Sequence, residues 1–219
     1  MIQAQALRRS AVAAAIRRER LIVVLRRVAP QERLIALVHE LADAGVRVFE
    51  VTFDAPTAAD DLVASRTALR DRTADGILLG AGTIRSMDSL DAAIDAGADF
   101  GVSPILDSQV LDAALVRGLP FIPGAFSPTE IDAAWRAGAT FVKLFPASSV
   151  GPSHVRELRG PMPEVELIPT GGVDGSSAAL FLAAGAVAVG IGGAIVNASP
   201  AERAAIVAAV RGAAAVPVS

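Results

Sequence analysis

One basic residue type is almost missing from this sequence of 219 residues. Of its 20 lysine and arginine residues, only Lys143 is a lysine. A guanidinium stays charged in proteins, whereas an amine can lose its proton and attack a carbonyl carbon. Lys143 lies in the apolar run FVKLFP, where burial disfavours the charged amine and so favours its nucleophilic form. Lys143 is therefore predicted to attack a carbonyl carbon and form a Schiff base. The alternative is that it forms a structural ion pair.

A carboxylate in a second apolar run, Glu50 of VRVFEVT, could work with this amine. Because side chains alternate along a strand, each run should present one face to the interior of the fold and the other to covering helices. The expected inner faces carry Val48, Glu50, Thr52, Phe141, Lys143 and Phe145, and the outer faces carry Phe49, Val51, Val142 and Leu144. Glu50 then fits a general acid/base, with a structural counter-ion as the alternative.

Two glycine motifs form a second candidate site. They are T-G-G (Thr170, Gly171, Gly172) and G-I-G-G, which ends in Gly192 and Gly193. Backbone amides without side chains can hold a phosphate group, and barrel enzymes often do so after their last two strands. The alternative is that these glycines only form tight turns.

The elements that must position these residues repeat along the chain. Four helical segments end in Ala-Gly, at Gly45, Gly97, Gly138 and Gly185, and each is followed by a short apolar strand. Eight strands are predicted, at 21–26, 46–52, 76–82, 99–104, 119–124, 140–146, 165–172 and 186–192.

This pattern predicts an α/β fold, a (β/α)8 TIM barrel with an extra N-terminal helix. Residues 1–219 should form one domain, with residues 1–20 packing on the barrel. An open doubly wound sheet is the alternative, but no dinucleotide fingerprint follows any strand. In a barrel, the carboxyl ends of the strands build the active site. The strand-end candidates for the substrate pocket are Arg26, Thr52, Thr83, Pro104, Phe145 and Thr170.

Composition excludes several other functions. There is no cysteine, and the two histidines are far apart, which excludes disulfide scaffolds, thiol catalysis and a histidine-rich metal site. The net charge of -3 gives no basic surplus for binding nucleic acid or an anionic membrane. The uncharged stretch 178–196 should split into a helix and a buried strand rather than span a membrane. The start of the chain lacks a signal-peptide pattern, so a cytoplasmic protein is expected.

From about Leu21 to about Val196, the chain resembles the bacterial class I aldolases of 2-keto-3-deoxy-6-phosphogluconate (KDPG) and 4-hydroxy-2-oxoglutarate (KHG). The motifs that carry the resemblance are AGVRVFEVT, GAGT, the S-P of GVSP, FIPG, FVKLFPA, PTGG and GIGG. The resemblance implies a cytoplasmic homotrimer with no metal or cofactor, acting in carbohydrate metabolism of the Entner–Doudoroff type.

The resemblance also implies roles for individual residues. Lys143 would be the Schiff-base lysine and Glu50 the acid/base. Arg26 would lie near the substrate carboxylate, and Thr83 and Thr170 would line the substrate pocket. The phosphate site would consist of Gly171, Gly172, Gly192 and Gly193.

The activity that the resemblance implies is cleavage of KDPG to pyruvate and glyceraldehyde 3-phosphate. Two departures bear on the substrate. Asp54 stands where gluconate-type members carry a carboxylate-binding arginine, and Ala194 replaces a serine that often follows G-I-G-G. The galactonate epimer (2-keto-3-deoxy-6-phosphogalactonate), KHG or an unphosphorylated acid are therefore alternatives. More distant ones are a phosphosugar isomerase or epimerase, and a non-catalytic phosphosugar-binding barrel.

Overall fold

Short strands alternate with helices in the computed structural model of the protein, which describes residues 2–213. The strands are β1 Leu21–Leu25, β2 Val48–Thr52, β3 Leu78–Gly82, β4 Gly101–Val102, β5 Phe121–Ile122, β6 Gly124–Ala125, β7 Val142–Leu144, β8 Leu167–Pro169 and β9 Val189–Ile191. The α-helices are α1 Ile2–Glu19, α2 Gln31–Asp43, α3 Ala58–Ala68, α4 Met87–Asp95, α5 Ser108–Val116, α6 Pro128–Arg136, α7 Gly151–Arg159, α8 Gly175–Ala183, α9 Gly193–Val196 and α10 Pro200–Gly212. This alternation confirms the α/β class.

The strands pair in parallel in a curled sheet with two hydrogen-bonded parts. One part has the order β5-β4-β3-β2-β1-β9 and the other the order β6-β7-β8. Only Pro123, which has no amide hydrogen to donate, separates β5 from β6. At the other edge, Thr170 after β8 forms a parallel bridge with Gly190 of β9.

The two faces of the strands pack in separate apolar layers, as the alternation predicts. Phe49, Val51, Val142 and Leu144 belong to the large core between the sheet and the helices. The opposite faces form a smaller inner cluster that contains Val48, Phe100, Ile122, Phe141 and Ile168. Glu50 and Lys143 therefore follow buried residues of the inner layer along their strands.

Helix α1 contributes to this inner cluster from one end of the strands. Val12, Ala13 and Ile16 pack with the inner residues of the sheet. The Arg17 guanidinium lies 2.6 Å from the carboxylate of Glu166, just before β8. The extra N-terminal helix thus covers the end where the strands begin. The single-domain organisation of residues 1–219 stays a prediction, because Met1 and residues 214–219 lie outside the described part.

The observed strands are shorter than predicted, for local reasons. The predicted strand 165–172 ends at Pro169, because Gly171 and Gly172 take positive φ angles of 91° and 76°. The predicted strand 119–124 is divided at Pro123. The uncharged stretch 178–196 contains most of α8, then β9 and α9, and no helix among residues 2–213 is long and apolar enough to cross a membrane.

Candidate active site

A cleft of about 540 Å³ opens at the carboxyl ends of β1, β7, β8 and β9. This volume lies in the range of small-molecule sites. Eight residues predicted from the sequence line it: Arg26, Lys143, Phe145, Thr170, Gly171, Gly172, Gly192 and Gly193. A larger groove of about 620 Å³ runs between α8, α9 and α10, but Glu202 is the one titratable residue in its lining. The first cleft is therefore the better candidate for catalysis.

Lys143 lines this cleft, and Glu50 lies beside it, outside the lining. The Lys143 Nζ lies 3.9 Å from the Glu50 Oε1, and the two side chains are only 5% and 3% exposed. Glu50 Oε1 is buried and has no hydrogen-bond partner among the described residues. Removing both charges from water is costly, and such a pair seldom stabilises a fold more than apolar residues would. A buried pair whose lysine lines a cleft is therefore better explained by chemistry than by stability.

The neighbouring strand leaves room for the carboxylate only because Gly82 has no side chain. Gly82, the last residue of β3, pairs with Thr52 of β2. A Cβ atom at Gly82 would lie 2.0 Å from Glu50 Oε1 and 2.5 Å from its Cδ. The glycine thus permits the observed position of the Glu50 carboxylate.

Phe145 covers the amine on one side. The Lys143 Nζ lies 5.2 Å from the centre of the Phe145 ring, within the range of a cation–π contact. A Cβ at Gly171 would come within 2.9 Å of the same ring. The glycine of the T-G-G motif therefore lets the ring and the loop after β8 pack closely beside the amine.

Four glycines, Gly171, Gly172, Gly192 and Gly193, form a wall of the cleft next to the first residues of helices α8 and α9. Gly193 and Ala194 begin the short helix α9, and Asp174 caps the start of α8 by accepting hydrogen bonds from the amides of Ser176 and Ser177. The hydrogen bonds from Ser176 and Ser177 lower the pKa of the Asp174 carboxyl to about 2. Asp174 therefore brings a fixed negative charge to a wall where the sequence predicts a phosphate.

Sequence reasoning missed three residues of this lining, namely Val24, Val173 and Asp174. Only Asp174 belongs to a sequence pattern that could have identified it. The spacing Asp174 to Ser177 after a glycine turn is a capping box, which marks the start of a helix. Val24 in β1 and Val173 in the loop before α8 are buried apolar residues like many others, so nothing in the sequence distinguishes them.

Arg26 lines the cleft, but its guanidinium forms an ion pair with Asp54, the residue that departs from the pattern of the resembling aldolases. Its Nη1 lies 2.8 Å from Asp54 Oδ2, and Arg27 Nε lies 3.2 Å from the same oxygen. Burial raises the pKa of the Asp54 carboxyl, but the Thr52 hydroxyl and the charges of Arg26 and Arg27 outweigh it and keep the pKa below its ordinary value. Asp54 therefore forms an ion pair with Arg26, the side chain that is predicted to bind the substrate.

Four predicted residues, Glu50, Thr52, Thr83 and Pro104, lie outside the lining of the cleft. Thr52 is buried beside Glu50 in β2, and its hydroxyl lies 3.4 Å from the Leu25 carbonyl oxygen. Thr83 and Pro104 are half-buried, and Thr83 has a φ of 59°, which is unusual for a β-branched residue. Their part in substrate binding stays a prediction. Among the described residues, no group of three or more His, Cys, Asp or Glu side chains could hold a metal ion.

Residues 12–210 match the family model described as "Aldolase: KDPG and KHG aldolase". The chain belongs to this aldolase family. The resemblance expected from the sequence is thereby confirmed, as is the class of enzyme, a carbon–carbon lyase.

Aldolases with assigned substrates are among the relatives. The 2-dehydro-3-deoxy-phosphogluconate aldolase of Treponema pallidum is 37% identical over 74% of each chain. The 2-dehydro-3-deoxy-6-phosphogalactonate aldolase of Escherichia coli is 32% identical over 78% of this chain and 82% of its own length. A structure of the Legionella pneumophila KDPG aldolase, with pyruvate captured at low pH as a covalent carbinolamine intermediate, has 25% identity and a TM-score of 0.77. That match covers 93% of this chain and 98% of the Legionella chain.

Proposed function

We propose that this chain is a Schiff-base aldolase that cleaves KDPG to pyruvate and glyceraldehyde 3-phosphate. One observation carries the proposal: Lys143, the only lysine of the chain, lines the cleft, and its buried Nζ lies 3.9 Å from the Glu50 carboxylate. The covalent carbinolamine with pyruvate in the Legionella relative supports the same chemistry.

In the proposed reaction, the neutral Nζ of Lys143 attacks the C2 ketone of the substrate. The carbinolamine loses water and becomes a protonated imine, which can accept an electron pair. Glu50 takes the proton of the C4 hydroxyl, the C3–C4 bond breaks, and its electrons move into an enamine. The aldehyde leaves, C3 takes a proton, and hydrolysis of the imine releases pyruvate and the free amine.

A water molecule is the proposed proton carrier between the two side chains. The distance of 3.9 Å is too long for a direct hydrogen bond, and Glu50 Oε1 has no other partner among the described residues. A bridging water would satisfy this oxygen and place a hydroxyl group beside the reacting carbon.

The predicted binding residues keep their roles in this proposal. Arg26 and Thr83 would hold the substrate carboxylate, and Gly171, Gly172, Gly192 and Gly193 would hold the phosphate. Thr52, Pro104, Phe145 and Thr170 would shape the pocket between them. The galactonate epimer and KHG remain alternatives within the same chemistry. A relative with the galactonate activity, and Asp54 in place of the carboxylate-binding arginine, keep the epimer as the first alternative.

We also propose that the curled sheet closes as a (β/α)8 barrel, with β5 and β6 acting as one strand. The single residue between these strands and the bridge between Thr170 and Gly190 support closure. The homotrimer, the cytoplasmic location and the Entner–Doudoroff role rest on the family and are proposals too.

Trapping with borohydride tests the chemistry directly. The protein is incubated with pyruvate and borohydride, and its intact mass and modified peptide are measured, with Lys143→Arg as the matched control. A reduced pyruvyl adduct on Lys143, absent from the variant, is the expected result. No adduct, under conditions that label a known aldolase, would overturn the proposal in favour of an isomerase or a non-catalytic binding protein. Turnover of both C4 epimers then identifies the substrate.

A further inference from the structure

A second cleft adjoins the active-site cleft and is unusually rich in arginine. It has a volume of about 300 Å³. Its lining includes Arg26, Arg27 and Arg33, together with Val196 and Asn197 at the end of α9. We call it the three-arginine pocket. Val24, Arg26 and Gly193 line both clefts, so the pocket continues the glycine-walled end of the active site.

The charges in this pocket are not balanced. No carboxylate lines it, and Asp54, outside the lining, forms ion pairs with Arg26 and Arg27. The Arg33 side chain makes no ion pair or hydrogen bond with any residue in the range 2–213. Three guanidinium groups against one carboxylate leave two positive charges in a concave surface, which concentrates the local positive potential.

We propose that the three-arginine pocket binds a phosphate-type dianion, with Arg33 as its principal cation. The excess of two positive charges matches the charge of a phosphate group near neutral pH. A guanidinium presents paired N–H donors that fit two oxygens of one phosphate, and the Asn197 side-chain amide can add a further donor. The residues of this pocket are separate from the two glycine motifs apart from Gly193, which both share.

The dianion has two conceivable sources, a free phosphate ion or the phosphate ester of the substrate. Only the second source rests on the proposed aldolase function. Inorganic phosphate binding to the protein without substrate can be measured by calorimetry, which requires no turnover. A failure of this inference is therefore distinguishable from a failure of the aldolase proposal, which pyruvate trapping decides.

The test compares Arg33→Gln with Arg156→Gln. Both arginines are exposed helix residues, and Arg156 lines neither cleft. We expect Arg33→Gln to weaken binding of inorganic phosphate about fivefold to tenfold, the loss of one partly exposed charge-assisted hydrogen bond. Arg156→Gln should bind phosphate like the wild type. Equal phosphate affinity in both variants and the wild type would overturn the proposal.

Kinetics of aldol addition then separate the two sources. Pyruvate is condensed with glyceraldehyde 3-phosphate or with unphosphorylated glyceraldehyde. If a substrate phosphate held at the glycine motifs also contacts the pocket at Gly193, which both share, Arg33→Gln raises KM for the phosphorylated aldehyde alone, with kcat and pyruvate trapping unchanged. If KM for both aldehydes stays at the wild-type value while phosphate binding weakens, the pocket binds free phosphate.

Discussion

Gly82→Ala tests whether the position of the Glu50 carboxylate controls the rate. The new Cβ would lie 2.0 Å from Glu50 Oε1, whereas real Cβ contacts are essentially never shorter than 3.0 Å. The carboxylate must therefore retreat by about 1 Å, a displacement that can cost roughly 100-fold in rate when it misplaces a catalytic group. We expect kcat for aldol cleavage to fall about 100-fold, which corresponds to about 2.7 kcal/mol of transition-state stabilisation.

Gly80→Ala is the matched control, because it lies on the same strand two residues earlier. Its Cβ would come within 2.4 Å of the Phe100 ring, in the apolar inner layer rather than at the carboxylate. Both variants should lose stability through overpacking, by about 1–3 kcal/mol in urea unfolding. Only Gly82→Ala should lose kcat per folded molecule. Equal loss of kcat in both variants, or near wild-type turnover by Gly82→Ala, would refute the reasoning.

Three further perturbations have defined outcomes. Glu50→Gln should leave the melting temperature near that of the wild type but slow turnover at least about 100-fold, and a full-speed variant would remove Glu50 from the mechanism. Arg203→Met removes a guanidinium that donates hydrogen bonds to the Ile195 and Val196 carbonyls and pairs with Glu40. The free energy of unfolding in urea should therefore fall by about 1–3 kcal/mol. A change below about 0.5 kcal/mol would contradict this. Asp174→Ala should reduce stability at neutral pH. Because the folded-state pKa is lowered from 3.8 to about 2, this difference should persist above pH 4 and shrink as the pH falls towards 2. A difference that stays constant over this range, in unfolding measured at several pH values, would exclude the carboxylate as its cause.

The core of the site could be predicted because it depends on local periodicity. Alternation along two strands places Lys143 and Glu50 on inner faces, and the structure finds the flanking Phe141 and Val48 in the inner cluster. Parallel strands also bring their carboxyl ends to one edge, so residues distant in sequence meet there. Both inferences depend on the strands alone and do not require the conformation of any loop.

The features outside the strands could not be predicted in the same way. The pairing of Arg26 with Asp54 depends on the path of the chain after β1, where Arg27 takes a φ of 48°. No periodicity encodes such a bend. Arg33 lies in the first turn of α2, yet it lines one pocket with residues of α9, far away in the sequence. Such contacts are set by how elements pack in three dimensions, which one sequence does not reveal.

The packing of α1 bears on the order in which the protein can be completed during synthesis. Translation produces α1 before the strands on which it packs, and the inner cluster that receives Val12 and Ile16 also contains Phe141, Ile168 and Ala188. The set of apolar partners of this helix is therefore complete only once Ala188 has been synthesised. The inner layer thus joins α1 to residues that are synthesised more than 120 residues later, from Phe141 to Ala188.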